Sequence, residues 1–201
     1  NPGCYPTGFL ALVRPLVRAG LLPADALLTV NAVSGYSGGG KGMIAEFESG
    51  ETETAWRAYG LSLAHKHVPE MRAQGGLVHA PIFAPAVARV YRGMVVEVPL
   101  HAAMLAGDAT PARVHAALAD AYAGSPLVRV ASLEEAKAMG GLAIEQVGDT
   151  DRLDLFVFAN ADTGQYRLAA ALDNLGKGAS GAAVQNLNLM AGLPETAGLK
   201  L

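Results

Sequence analysis

A single cysteine among 201 residues excludes both a disulfide framework within the chain and a zinc site built on several thiolates. Whatever Cys4 does, it does alone. One thiol is also compatible with a reducing cytoplasm, which is the expected location. Charge is scarce: Asp, Glu, Lys and Arg make up 16% of the chain, and 15 basic against 18 acidic residues leave a net charge of −3. No broad positive field is available to draw in nucleic acid or an anionic membrane surface, so neither is expected as a partner, and an anionic ligand has to be met by a local site. No apolar run approaches the ~18 residues that span a bilayer, and the N-terminus lacks a basic-then-apolar signal pattern. There is no internal repeat and no low-complexity tract. What the chain does have is apolar content, 51% of its residues, enough for a substantial buried core and too much for a disordered chain.

Hydrophobic periodicity and turn residues divide the chain into alternating elements. Leu10, Val13, Leu16 and Val17 recur at helical spacing, which predicts a helix from Tyr5 to Leu22 with Thr7 as cap and Gly20 at its end. Ala26 to Val33 reads as a buried strand running into a glycine-rich loop, Ser34 to Gly42. Glu46 to Trp56 is expected to be a loop or edge segment, and His65 to Gln74 a short helix with Pro69 near its start. Strands are predicted at Leu77–Phe83, Val87–Leu100 and Leu127–Val130. Thr110 and Pro111 open a helix that reaches Tyr122, and Ser132 opens another in capping-box form. Leu153–Asn160 and Gln165–Leu172 are joined by Ala-Asp-Thr-Gly, a hairpin signal. A final helix is expected from Gly178 to Met190. The hairpin and the long neighbouring strands predict an α+β domain with a mixed, largely antiparallel sheet covered by helices.

Four segments carry candidate chemistry, the last being Leu172 to Asn186, where small residues lead from a strand into a helix and permit close backbone approach by a ligand or by another element. Cys4 follows a Pro-Gly turn and precedes a helix, so the positive helix end is expected to lower its pKa and favour thiolate, the prepared form of a nucleophile. Most lone cysteines are instead small buried hydrophobes, but those lie in apolar periodic stretches and not in Asn-Pro-Gly-Cys-Tyr-Pro. The second segment runs from Tyr59 through His65 and His67 to Glu70. The two histidines, two apart, are expected to face opposite sides of an extended segment, so no metal is expected there, whereas a turn at Pro69 brings Glu70 back to orient one of them for acid–base work. The third signal is Gly35 to Gly42, which nearly spells a phosphate-binding P-loop but has Gly42 where the magnesium-binding hydroxyl belongs and no convincing helix at Gly40, so nucleotide triphosphate hydrolysis is not expected. Its amides and Lys41 can still meet an anion.

The segments NPGCYPTG, SGYSGGGK, HKHVPE and LDNLGKGASGAAVQNLNLM, in this order, resemble the N-acetyl-gamma-glutamyl-phosphate reductases, relatives of the aspartate-semialdehyde dehydrogenases, over essentially the whole chain. The resemblance implies a glyceraldehyde-3-phosphate dehydrogenase-like catalytic and dimerisation domain at 1–175, and at 176–201 a helix that returns to an N-terminal Rossmann domain. No GxGxxG after a strand is found in these residues, so that domain is expected upstream of Asn1. It further implies a homo-oligomer, dimer or tetramer, and a small-molecule substrate. Cys4 is implied as the nucleophile that forms a thioester, with His67 as general acid and base and NADPH as the reductant. Tyr59, His65 and Glu70 are implied at the substrate, and Ser34, Gly35, Ser37, Gly38, Asn174, Gly176 and Gly178 at the cofactor. Lys41 and Arg92 are candidates for easing phosphate departure. The alternatives are a semialdehyde dehydrogenase for another acyl phosphate, a non-catalytic oligomerisation module and a cysteine hydrolase.

Overall fold

A computed structural model describes residues 1–107 and 109–201. One mixed sheet organises the chain, in the order β2-β3-β1-β4-β7-β6-β5: β1 (Thr29–Gly35), β2 (Trp56–Ala58), β3 (Ile82–Ala88), β4 (Met94–His101), β5 (Val128–Val130), β6 (Leu153–Asn160) and β7 (Gln165–Leu172). β1 runs parallel to β3 and β5 parallel to β6, while the remaining neighbours are antiparallel. The α+β expectation therefore stands.

One face of the sheet is covered by α1 (Cys4–Arg18). Its buried Phe9, Leu12 and Leu16 pack with Val96 and Val98 of β4, Leu168 and Ala170 of β7 and Leu155 of β6. Alternation along β4 explains the partition: Val96, Val98 and Leu100 point into this core, and Pro99 and His101 away from it. Gly8 lets the helix settle closely, since a Cβ there would lie 2.9 Å from Val96 Cγ2. Part of the opposite face carries a small cluster of Ala131, Val147, Phe156, Ala169 and Ala171. The rest of that face is open, an apolar cavity of about 580 Å³ lined by Val33, Trp56, Tyr59, Leu61, Leu63 and Val95 among others.

Helices α4 (Pro111–Ala121) and α5 (Leu133–Ala138) begin at their predicted caps, where Thr110 accepts from Arg113 N–H at 3.3 Å and Ser132 from Glu135 N–H at 3.1 Å. The hairpin strands β6 and β7 also fall at the predicted residues. Other expectations shift. α1 starts at Cys4 with Gly3 as N-cap, and Thr7 is no cap; its hydroxyl donates back to Gly3 C=O at 3.0 Å. A helix does begin at Gly40: α2 (Gly40–Glu48) follows a 3-10 turn at Tyr36–Gly39. It is held by Phe47 stacked on Tyr36 at 5.0 Å and by the Glu46–Arg57 ion pair, so only the part of the expected acidic loop after Glu48 is irregular. The strand expected at Leu77–Phe83 lies instead at β3 and passes through Pro85. Pro85 C=O accepts from Tyr59 N–H at 3.0 Å, so its missing N–H points past the end of three-residue β2, where no ladder bond is lost. A π turn at Gly176–Ser180 precedes the last helix, α6 (Gly181–Met190). No helix among the described residues is long and apolar enough to cross a membrane.

Candidate active site

Two helix N-termini meet at Cys4. Gly3, with φ −66° and ψ 160°, is the N-cap of α1, and Cys4 is the first helical residue. His67 is the N-cap of α3 (Val68–Gly75). A Cβ placed on Gly3 would lie 2.5 Å from His67 Nε2. The imidazole thus packs on the bare glycine immediately before the nucleophile, and a methyl group there would drive it away. On the other side, a Cβ on Gly178 would come within 3.0 Å of Cys4 Cβ, so the π turn also owes its proximity to the thiol to a glycine. Gly178 N–H donates to Asp173 C=O at 2.8 Å, which fixes that approach.

The two histidines do not face opposite sides. Their ring centroids are 4.8 Å apart, because residues 65–67 form a turn into α3 and not an extended segment. His67 N–H donates to His65 Nδ1 at 3.2 Å, leaving the neutral His65 proton on Nε2. Tyr5 packs edge-on against both rings. Tyr59 Oη donates to Tyr5 Oη at 2.8 Å, and Tyr5 Oη to Ala86 C=O at 3.4 Å. Glu70 does not orient a histidine; its carboxylate accepts the Gly3 N–H at 3.1 and 3.2 Å. Nδ1 of His67 is buried without a hydrogen-bond partner.

Electrostatics overturn one expectation. Burial pushes the Cys4 thiol up, and this outweighs the lowering by the Tyr5 and Cys4 amides and by Lys66; the nearby Glu70 charge adds to the rise. His67 is depressed to about 4, first by burial and then by the positive potential of His65 and Lys66. At neutral pH the pair rests as thiol and uncharged imidazole, so thiolate forms by proton transfer to a vacant base. The rate of Cys4 alkylation against pH should therefore inflect above the ordinary ~8.5 of a thiol, and a midpoint below that value would contradict this assignment. The imidazole makes a second expectation. Its folded pKa lies below the unfolded ~6.5, so the unfolded chain binds the extra proton between these values and stability must fall as pH drops from ~6.5 towards 4. The urea midpoint should show that fall, and His67→Gln should lessen it; an equal fall in both proteins would refute it.

The glycine segment and the Tyr59–Glu70 segment do come together. A pocket of about 190 Å³ is lined by Tyr5, Ser34, Gly35, Gly38, Tyr59, His65 and Lys66. Ser37 and Asn174 are used differently. Asn174 is buried, its amide donating to Ser37 Oγ at 2.9 Å while its carbonyl accepts Gly93 N–H at 2.9 Å, so it ties the glycine turn to the end of β7 and has little left for a cofactor. Gly35 and Ser37 N–H donate to Gly93 and Tyr91 carbonyls, and a Cβ on Gly35 would lie 2.7 Å from Tyr91 C=O. Their amides are therefore not free for an anion. Gly176 is a glycine because a Cβ would run into Thr150 C=O. Arg92 is committed to Asp173 and Asp149, and Lys41 is exposed on α2. The cation that lines the pocket is Lys66, which sequence reasoning passed over although it stands between the two histidines. Among the described residues no group of three or more His, Cys, Asp and Glu side chains is placed to hold a metal.

A thiol and a neutral imidazole on two helix starts, above a mixed seven-stranded sheet with one open apolar face, define a class of cysteine-centred α+β domain. A sequence model of the semialdehyde dehydrogenase dimerisation domain matches residues 4–174. The chain belongs to that family. N-acetyl-gamma-glutamyl-phosphate reductases of Brucella ovis and Brucella canis are 54% identical to it over 196 residues, 96% of this chain and 63% of their own length. The chain thus spans less than two thirds of these relatives. In fold it is similar to aspartate semialdehyde dehydrogenase II of Vibrio cholerae, with TM-score 0.68 and 16% identity over 95% of this chain and 61% of that one. The aspartate semialdehyde dehydrogenase of Francisella tularensis gives TM-score 0.67 and 10% identity, over 95% and 64% respectively.

Proposed function

We propose that this chain is the catalytic and dimerisation part of an NADPH-dependent reductase that converts N-acetyl-gamma-glutamyl phosphate to the semialdehyde and phosphate, a step of arginine biosynthesis, in the cytoplasm. The observation that carries this reading is the 54% identity to proteins of that name across 96% of the chain, with Cys4 and His67 brought to one site. Nothing about the pair restricts it to one acyl phosphate, so the substrate rests on the relatives.

In this mechanism His67 accepts the Cys4 proton as Sγ attacks the γ-acyl carbon. The carbon–oxygen bond to phosphate breaks, phosphate leaves with the electron pair, and a thioester remains on Cys4. Lys66 is the cation beside the departing group. When bound, NADPH supplies the hydride that reduces the thioester carbon. His67 returns its proton to the developing oxyanion, and the thiohemiacetal collapses to aldehyde and free thiol. Ser34 and Gly38, which line the pocket beside Tyr59 and His65, are the residues of this set left to meet the reacting end of the cofactor, since Gly35, Ser37, Asn174, Gly176 and Gly178 are taken up by packing and hydrogen bonds. The rest of the dinucleotide belongs to residues outside this chain, and the exposed Leu187, Leu189, Met190 and Leu193 of α6 and the turn after it are the face on which 176–201 would rest against them.

A second copy of the chain is the proposed occupant of the open sheet face, where Trp56, Leu61 and Leu63 are exposed. Leu61→Glu is expected to shift the protein towards monomer by light scattering, and an unchanged oligomer would reject that face. The reaction itself is tested in reverse in the full-length polypeptide, by NADPH formation from phosphate, NADP and N-acetylglutamate semialdehyde. Turnover with aspartate semialdehyde and none with the acetylated substrate would overturn the assignment.

A further inference from the structure

We propose that Glu70 is a positioning residue: as a hydrogen-bond acceptor on the Gly3 amide it holds the turn of the nucleophile against its base. The inference rests on the Cys4–His67 assignment but not on the identity of the substrate. Gly3 is an N-cap without a side chain, no side chain of its own helix start caps it, and α1 has no acidic residue in its first turn. Its N–H is instead taken by both oxygens of Glu70, at 3.1 and 3.2 Å, and its C=O by Thr7 N–H at 2.9 Å and Thr7 Oγ1 at 3.0 Å. The residue before the nucleophile is therefore clamped at both ends. Glu70 stands three residues after His67, on one side of the same helix. α3 thus presents the imidazole to Gly3 from its first turn and the carboxylate to Gly3 N–H from the same turn, and the thiol-to-base distance is set by one rigid element. A carboxylate held this way is not available as a substrate contact.

The arrangement separates geometry from charge. The ionisable groups around Cys4 are Lys66, His67 and Glu70 from the α3 side and the Tyr5 and Tyr59 hydroxyls, while the π turn packs on it through Gly178 and its one ionisable residue, Lys177, is engaged by Gln185. Glu70→Gln keeps an acceptor for Gly3 N–H and removes the negative charge. Glu70→Ala removes both.

The experiment combines iodoacetamide alkylation of Cys4 against pH with steady-state kinetics of the full-length polypeptide. In Glu70→Gln the alkylation midpoint should move down while kcat stays within about threefold of the parent, since the hydrogen bond survives. In Glu70→Ala kcat should fall about 10²-fold with KM nearly unchanged, the cost of a misplaced reacting pair. A raised KM with unaltered kcat in Glu70→Ala would make Glu70 a substrate contact and overturn the proposal. So would a Glu70→Gln protein whose kcat falls about 10²-fold although the acceptor for Gly3 N–H is kept, a result that stands even if the alanine variant does not fold. If the alkylation results hold and no acyl phosphate is turned over, the proposed reaction fails and the positioning role survives.

Discussion

Cys4→Ala is expected to abolish NADPH-coupled turnover, and His67→Ala to slow it by about 10²- to 10⁴-fold, the usual contribution of general acid–base catalysis. The reason lies in the resting state of the pair. Burial holds Cys4 as thiol and His67 as free base, so without the imidazole no group placed at the thiol takes its proton during attack. Because both residues serve one sequence of steps, Cys4→Ala/His67→Ala should be little worse than Cys4→Ala, rather than the product of two losses. Neither substitution removes a large core side chain, so the thermal midpoint should change little. Steady-state rates of the three variants decide this. Activity surviving in Cys4→Ala would remove the nucleophile, and normal rates in His67→Ala with loss in His65→Ala would move the base by two residues.

Asp173→Ala should cost about 3 to 5 kcal/mol of stability, because it removes one partner from a buried, charged hydrogen-bond network. The Asp173 side chain is fully buried. Its carboxylate accepts Leu175 N–H at 2.8 Å, Gly176 N–H at 3.1 Å and Asp149 N–H at 2.5 Å, and Arg92 Nε lies 3.2 Å away. Alanine leaves those amides without an acceptor and leaves Arg92 with Asp149 alone. Asp173→Asn retains one acceptor and should recover part of the loss. Urea denaturation measures both, and a loss under about 1 kcal/mol in the alanine variant would show that the network relaxes without cost. The site should feel the change as well: Asp173 C=O anchors Gly178, and Gly178 packs on Cys4.

Much of the chain was legible locally. The Thr110-Pro111 start, the Ser132 cap and the Ala-Asp-Thr-Gly hairpin are local signals that satisfy backbone groups within three or four residues; of the expected capping box only the Glu135 half is lost, its carboxylate taken by Arg129. Cys4 stood out as a thiol in a turn before a helix, whereas the residues left His65 and His67 open alike and only the family resemblance singled out His67. The glycine segment was misread where its meaning is long-range. Gly35 and Gly176 are bare because the 91–92 and 150 backbones pass over them, and nothing within either loop distinguishes such a glycine from one that admits a ligand. The helix at Gly40 was missed because Gly and Lys at its start are poor local signals, and it is the Phe47–Tyr36 stack that holds it.

Sequence alone determined the class of domain, the helices with explicit caps, the β6–β7 hairpin and the candidate nucleophile, since each is encoded by residues close together along the chain. Only the tertiary structure decided the strand order, the use of Glu70 on Gly3 across 67 positions and the diversion of Asn174 to Ser37 across 137. It also decided the sign of the Cys4 shift. A helix end lowers a thiol pKa through its nearest amides, but how far burial opposes it depends on what the rest of the chain packs around the sulfur, and that sum is fixed only when the fold closes.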